Sequence, residues 1–113
     1  MGKESMEYDV VIVGGGPSGL ATAIKLKQLD SDLNVCLIEK ASEIGAHILS
    51  GNVFETRALD ELIPNWKDLD TPIKTKVTKE KFLFLGKLKS LSWPTWLLPS
   101  VQKNHNNYII SLA

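Results

Sequence analysis

Cysteine is almost missing from this 113-residue chain, which holds only Cys36 and so has no intramolecular disulfide. A cysteine-ligated iron–sulfur cluster takes about four thiolates, so these residues alone hold none. No metal site is expected here. Long apolar runs are missing too: no window approaches the ~18 consecutive apolar residues of a spanning helix. The uncharged stretch 90–102 is broken by Pro94 and Pro99. The leader MGKESMEYD lacks both the apolar centre of a secretion signal and the Arg-rich, acid-poor character of a transit peptide, so no export signal is expected. An excess of one charge is absent overall, because 13 Lys and Arg balance 13 Asp and Glu. A balanced chain has no global attraction to nucleic acid, and nucleic acid is not expected as a partner. Acids are missing from the tail, however: residues 81–113 carry four lysines and no Asp or Glu, net +4 against net −4 in 1–80. A basic tail with Trp93, Trp96 and many leucines points to an anionic surface. The remaining composition, 43% hydrophobic and 23% charged, is that of a globular chain and excludes disorder.

What is present is ordered most clearly at the start. The β-branched run from Tyr8 to Val13 is too short for a helix and reads as a buried parallel strand. Gly14-Gly15-Gly16-Pro17-Ser18-Gly19 interrupts it. A helix is predicted from Pro17 to Leu29, because proline is tolerated in a first turn where its missing N–H has no partner to lose. After the turn at Asp30–Asp32, residues 34–39 give a second buried strand. Strand, glycine turn, helix and strand form a βαβ crossover of about the usual ~30 residues. Further on the pattern weakens. Residues 41–51 read as a loop, 55–62 as a helix stopped by Pro64, and 66–75 as polar turns. A strand could begin at Lys76, residues 82–85 are apolar, and 108–112 is a strand candidate after the Asn104–Asn107 turn. One βαβ unit supplies two parallel strands where a doubly wound sheet has about five or six, so a fragment is expected.

Gly14, Gly16 and Gly19 fit G-x-G-x-x-G directly after a strand and at the opening of a helix. Gly14 permits the tight turn, Gly16 lets backbone approach a pyrophosphate, and Gly19 lets helix and strand pack closely. The helix N-terminus adds free N–H groups and about half a positive charge. Glu39 closes the second strand twenty residues after Gly19, where a carboxylate can accept hydrogen bonds from both ribose hydroxyls. That acid disfavours a 2′-phosphate, leaving NAD or FAD. The segment Glu39–His47 returns towards the cofactor cleft, with Gly45 permitting close approach, and leans the choice to FAD; an ordinary surface loop is the alternative. Cys36 reads as a small core residue, and His47 either approaches the flavin or makes structural hydrogen bonds. His105 reads as a turn or packing residue, and Trp66 as a cap on the Leu59/Leu62 face.

In the tail, Phe82, Leu83, Phe84, Leu85, Leu88, Leu91, Trp93, Trp96, Leu97 and Leu98 form one apolar cluster. Lys79, Lys81, Lys87, Lys89 and Lys103 surround it. Tryptophan fenced by lysine suits an interfacial anchor, with rings at headgroup level and ammonium groups towards anionic lipid. An ordinary core strand pair with a loop is the competing reading of the same residues.

Three blocks, VVIVGGGPSGLATAIKLKQL, VCLIEKASEIGAHILSG and the NHNNYI stretch, resemble the electron-transfer flavoprotein–ubiquinone oxidoreductases, in register from about Tyr8 to the last residue. The resemblance implies the N-terminal fragment of an α/β, FAD-binding, Rossmann-type domain of the glutathione-reductase-like kind, a βαβ unit plus a membrane-facing insertion. Residues 1–75 would belong to the FAD-binding domain and 76–113 would begin a quinone- and membrane-associating region. It also implies electron-transfer flavoprotein as donor, ubiquinone as acceptor, FAD and a [4Fe–4S] cluster in the whole protein, and no activity of the fragment alone. Carried over by position, Val13, Gly14, Gly16, Pro17, Ser18 and Gly19 bind the pyrophosphate. Glu39 and Lys40 flank the adenosine, and Gly45, His47, Ser50 and Gly51 lie on the flavin side. Phe82, Phe84, Leu85, Trp93, Trp96, Leu97 and Leu98 would meet the membrane. The expected place is peripheral on the inner membrane, at the bacterial cytoplasmic face or, in a eukaryote, the mitochondrial matrix face. Another FAD oxidoreductase of the superfamily, or a non-catalytic membrane-surface module, remains as an alternative.

Overall fold

A computed structural model describes residues 2–49 and 51–111; Ser50 lies outside the described residues. The chain divides into two compact units after Ile48.

The first unit is β1 (Val10–Val13), α1 (Pro17–Leu29) and β2 (Val35–Ile38). β1 and β2 pair in parallel, Val10 opposite Val35 through Val13 opposite Ile38. Their starts are pinned by Asp9, whose Oδ2 accepts the Asn34 N–H at 2.8 Å while its own N–H donates to the Asn34 carbonyl at 3.0 Å. The helix has the predicted bounds. Gly16 is its N-cap and Pro17 opens its first turn. At the other end the Lys27 ammonium donates to the Ser31 and Leu33 carbonyls at 2.6 and 2.8 Å. A cation there opposes the negative end of the helix dipole and satisfies carbonyls beyond the last turn. Both strands were expected to be buried, and the structure corrects this. Val10 and Ile12 are half-buried, whereas Val11 and Val13 are exposed, as is Ile38. Side chains alternate across a strand, and only one face of this pair is covered among the described residues.

The second unit contains β3 (Asn52–Phe54), α2 (Arg57–Leu62), β4 (Thr75–Lys76), β5 (Phe82–Leu85), β6 (Ser90–Trp93) and β7 (Tyr108–Ile110). β7 lies between β3 and β4, antiparallel to both. It follows a turn closed by the Asn107 N–H on the Asn104 carbonyl at 3.0 Å. Asn106 takes φ 75° there, the left-handed position of a type II turn, which asparagine tolerates better than most residues. Because β3 and β4 share β7, residues 49–75 lie in the same compact unit as the tail. Trp66, Val77, Leu98 and Ile110 are the buried hydrophobic residues among those described, all in this unit. Trp66 is 2% exposed. Its indole N–H donates to Asp60 Oδ1 at 2.6 Å, and its ring meets Tyr108 edge-on at 5.8 Å. The indole thus ties α2 to the sheet, with burial of each such side chain adding roughly 1.5–3 kcal/mol.

β5 and β6 make a separate antiparallel hairpin, Phe82 opposite Trp93 and Phe84 opposite Leu91. Directly opposed residues share a face, so Phe82, Phe84, Leu91 and Trp93 form one apolar surface. Phe84 packs edge-on against both Phe82 and Trp93, at 5.3 and 5.8 Å between ring centres.

Candidate functional site

The turn between β1 and α1 is built by glycine at each step. Gly14 takes φ +107°, a left-handed conformation, while its N–H continues the ladder to the Ile38 carbonyl at 2.7 Å. Gly19 is required by packing. A Cβ there would stand inside the contact distance of the Gly14 carbonyl oxygen and 3.4 Å from Ile12 Cγ2. Gly16 has ordinary extended backbone, φ −77° and ψ 178°, and a Cβ there would meet no atom within 4 Å. Its lack of a side chain leaves open space at the N-terminus of α1. The first backbone bond of the helix runs from the Leu20 N–H to the Gly16 carbonyl at 3.0 Å, so the Ser18 and Gly19 N–H groups precede it. No acid occupies the first turn. Open space, helix N–H groups and an uncompensated dipole together fit a pyrophosphate. Val13, at the end of β1, and Ser18 are both exposed.

Glu39 does more than sequence spacing indicated. Its Oε2 accepts the Gly15 N–H at 2.8 Å and its Oε1 accepts the Ala41 N–H at 2.9 Å. Gly15 itself is buried, and a Cβ there would press on Glu39 Oε2 at 3.0 Å and Ile44 Cγ1 at 3.2 Å. The carboxylate therefore latches the middle of the glycine turn to the end of β2. Each oxygen keeps a second lone pair that a ribose hydroxyl can use. No sequence pattern marks Gly15 for this task, since the x of G-x-G-x-x-G is unrestricted.

The Ala41 and Gly15 N–H groups, in that order, hold the Glu39 carboxyl below its ordinary value; desolvation opposes them, and Lys40 backbone and His47 assist more weakly. A depressed carboxylate pKa supplies stability that is present above the unfolded value and disappears as pH falls through the folded one. Glu39→Gln presents an NH2 where one backbone N–H needs an acceptor, so its urea midpoint should lie below wild type at pH 7. That gap should narrow progressively as pH falls from 7 into the acid range and the carboxyl takes up its proton. A gap independent of pH would assign the loss to something other than the carboxylate.

The following loop turns at Gly45, φ +91°, whose carbonyl accepts the Ile48 N–H at 3.0 Å. Lys40 and His47 are exposed, and His47 stands near enough to act on Glu39 electrostatically. Gly51, φ +77°, belongs to the second unit. The structure thus gathers Gly14, Gly16, Pro17, Gly19, Glu39 and His47 within the first unit. Among the described residues no group of three or more His, Cys, Asp and Glu could hold a metal ion.

Of the tail residues expected at a membrane, Leu98 is corrected. It is 8% exposed and belongs to the core of the second unit, directly after the short 3-10 turn Thr95–Leu97. Phe82 is half-buried; Phe84, Leu85, Trp93, Trp96 and Leu97 are exposed. Leu88, at the hairpin tip between Lys87 and Lys89, is the most exposed of the large hydrophobics at 96%. No helix among the described residues is long and apolar enough to cross a membrane.

A parallel βαβ unit with an open glycine turn at a helix N-terminus and an acid closing the second strand defines a nucleotide-binding domain of the Rossmann type. A family model described as NAD(P)-binding Rossmann-like domain matches residues 12–72, more than half of the chain, and the chain belongs to that family. More particularly, it matches a fragment of proteins named electron transfer flavoprotein-ubiquinone oxidoreductase. It is 59% identical to the mitochondrial protein of that name from Oryza sativa subsp. japonica, covering 99% of this chain and 19% of that relative. The mitochondrial protein of the same name from Dictyostelium discoideum is 54% identical, over 98% of this chain and 18% of the relative. One from Acinetobacter baylyi, named as a probable member, is 52% identical, over 98% and 20%. The chain therefore spans about a fifth of the length of the curated relatives it matches.

Proposed function

We propose that this chain supplies the nucleotide-holding part of an FAD site in an oxidoreductase that takes electrons from electron-transfer flavoprotein and delivers them to ubiquinone. The observation that carries the reading is the open Gly16 position at the head of α1, beside the Glu39 latch. In this reading the Ser18 and Gly19 N–H groups bind the pyrophosphate, and Glu39 accepts from the adenosine ribose. A 2′-phosphate would meet the Glu39 charge, which favours FAD or NAD over NADP. The relatives' printed names, with flavoprotein and ubiquinone in them, favour FAD. Lys40 flanks the adenosine, and Gly45, His47, Ser50 and Gly51 serve the flavin side. Bound FAD would supply the redox chemistry, exchanging electrons between donor and quinone. A [4Fe–4S] cluster, if the whole protein holds one, takes its thiolates from elsewhere, since Cys36 is alone. The exposed hairpin and its lysines serve peripheral attachment at the inner membrane, on the bacterial cytoplasmic or mitochondrial matrix side. Residues 76–113 begin this membrane- and quinone-associating region, with 1–75 contributing to the FAD-binding part.

The test uses the whole polypeptide containing this chain, purified without added cofactor and then titrated with FAD, NAD+ and NADP+. Stoichiometric flavin and ubiquinone reduction dependent on reduced electron-transfer flavoprotein are expected. Saturable NAD+ binding with no flavin taken up would overturn the reading.

A further inference from the structure

We propose that an open cavity of 480 Å³ in the second unit binds a phosphate group, carried either on an anionic lipid headgroup or on a free phosphate ester. Lys79, Lys81, Lys103, His105 and Trp96 line it, together with buried Val77. One backbone-to-carboxylate bond and one backbone–backbone bond tie the two lining segments together. The Asn104 N–H donates to Glu80 Oε2 at 2.9 Å, and the Val77 N–H donates to the Asn107 carbonyl at 2.8 Å. These bonds tie residues 77–80 to residues 104–107, which sets the backbone carrying Lys79 and Lys81 beside that carrying Lys103 and His105.

Charge decides the ligand class. Among the described residues Glu80 is the one acid lining the cavity, and one of its oxygens is already occupied by the Asn104 N–H. Among the described residues the ion pairs are Arg57–Glu61 and Lys74–Asp70, so none of the three cavity lysines is neutralised by an acid. Three compact cations on flexible stems suit the several oxygens of one phosphate. The cavity also has room for the glycerol of a headgroup. Trp96, 74% exposed at the rim and followed by Leu97, gives the amphipathic edge that sits at headgroup level. The lipid source rests on the membrane-surface reading above; the phosphate site does not.

Glycerol 1-phosphate and vesicles of phosphatidylcholine with or without phosphatidylglycerol are the probes, applied to the whole polypeptide with Trp96 fluorescence and co-sedimentation as readouts. The pocket variant is Lys81→Gln/Lys103→Gln; the control, Lys3→Gln/Lys25→Gln, removes the same charge from exposed positions of the first unit. The pocket variant should bind about tenfold more weakly, against a small change in the control. Loss with both glycerol 1-phosphate and phosphatidylglycerol vesicles assigns a general phosphate site. Loss with the vesicles alone assigns a lipid headgroup. Equal losses in pocket and control variants, or none in the pocket variant, would overturn the proposal. Failure of the membrane reading alone would leave glycerol 1-phosphate binding intact.

Discussion

Gly19→Ala should yield a protein that is both destabilised and free of flavin, whereas Gly16→Val should yield one that is stable and free of flavin. The two positions separate because their surroundings differ. At Gly19 the added methyl collides with the Gly14 backbone carbonyl, so α1 must move off the turn. Backbone cannot swing aside as a side-chain tip can, and overpacking of this kind costs about 3 kcal/mol. At Gly16 the backbone suits any residue and the space is open. Valine there leaves the folded chain undisturbed and fills the place assigned to the pyrophosphate. Thermal melts of the flavin-free proteins with bound-flavin absorbance distinguish the cases. A Gly16→Val protein with a full flavin complement would remove this turn from the cofactor site.

The second large effect is expected at the hairpin tip. Leu85 and Leu88 are 81% and 96% exposed, and Leu91 is 63% exposed. Water gains nothing from such side chains, while an interface removes each from water for about 1 kcal/mol. Leu85→Ser/Leu88→Ser/Leu91→Ser should therefore weaken partition onto vesicles roughly a hundredfold. High salt should not restore or mimic that loss, because salt screens only the lysine contribution. Reduction of a long-tailed quinone should fall and reduction of a water-soluble acceptor should persist. If the triple variant co-sediments like wild type, the hairpin is not the anchor.

The first unit was largely readable because its signals are local. A β-branched run, a glycine-proline break and a helical stretch each announce themselves within a few residues, and α1 has the bounds that Pro17 and Leu29 suggested. β3 was not readable. Asn52–Phe54 has three residues and takes its partner from Tyr108–Ile110, far along the chain, so no neighbouring periodicity reveals it. Leu98 illustrates a second limit: apolar residues on either side of a proline-bounded turn have the same composition, and composition does not say which of them enters the core. Glu39 illustrates a third. Spacing located the acid but not its bonds to Gly15 and Ala41, since backbone N–H groups carry no sequence signature.

The latch between Glu39 and Gly15 also determines when the turn loses its freedom. Consecutive glycines at 14, 15 and 16 would be the loosest backbone in the unit, and ordering them has a larger entropic cost than ordering any other residues. With the central N–H already held by a carboxylate from the far strand, that ordering happens as the chain folds. A ligand arriving afterwards meets donors already aimed and does not bear the cost of fixing them. Glu39 thus acts on affinity before any nucleotide touches it.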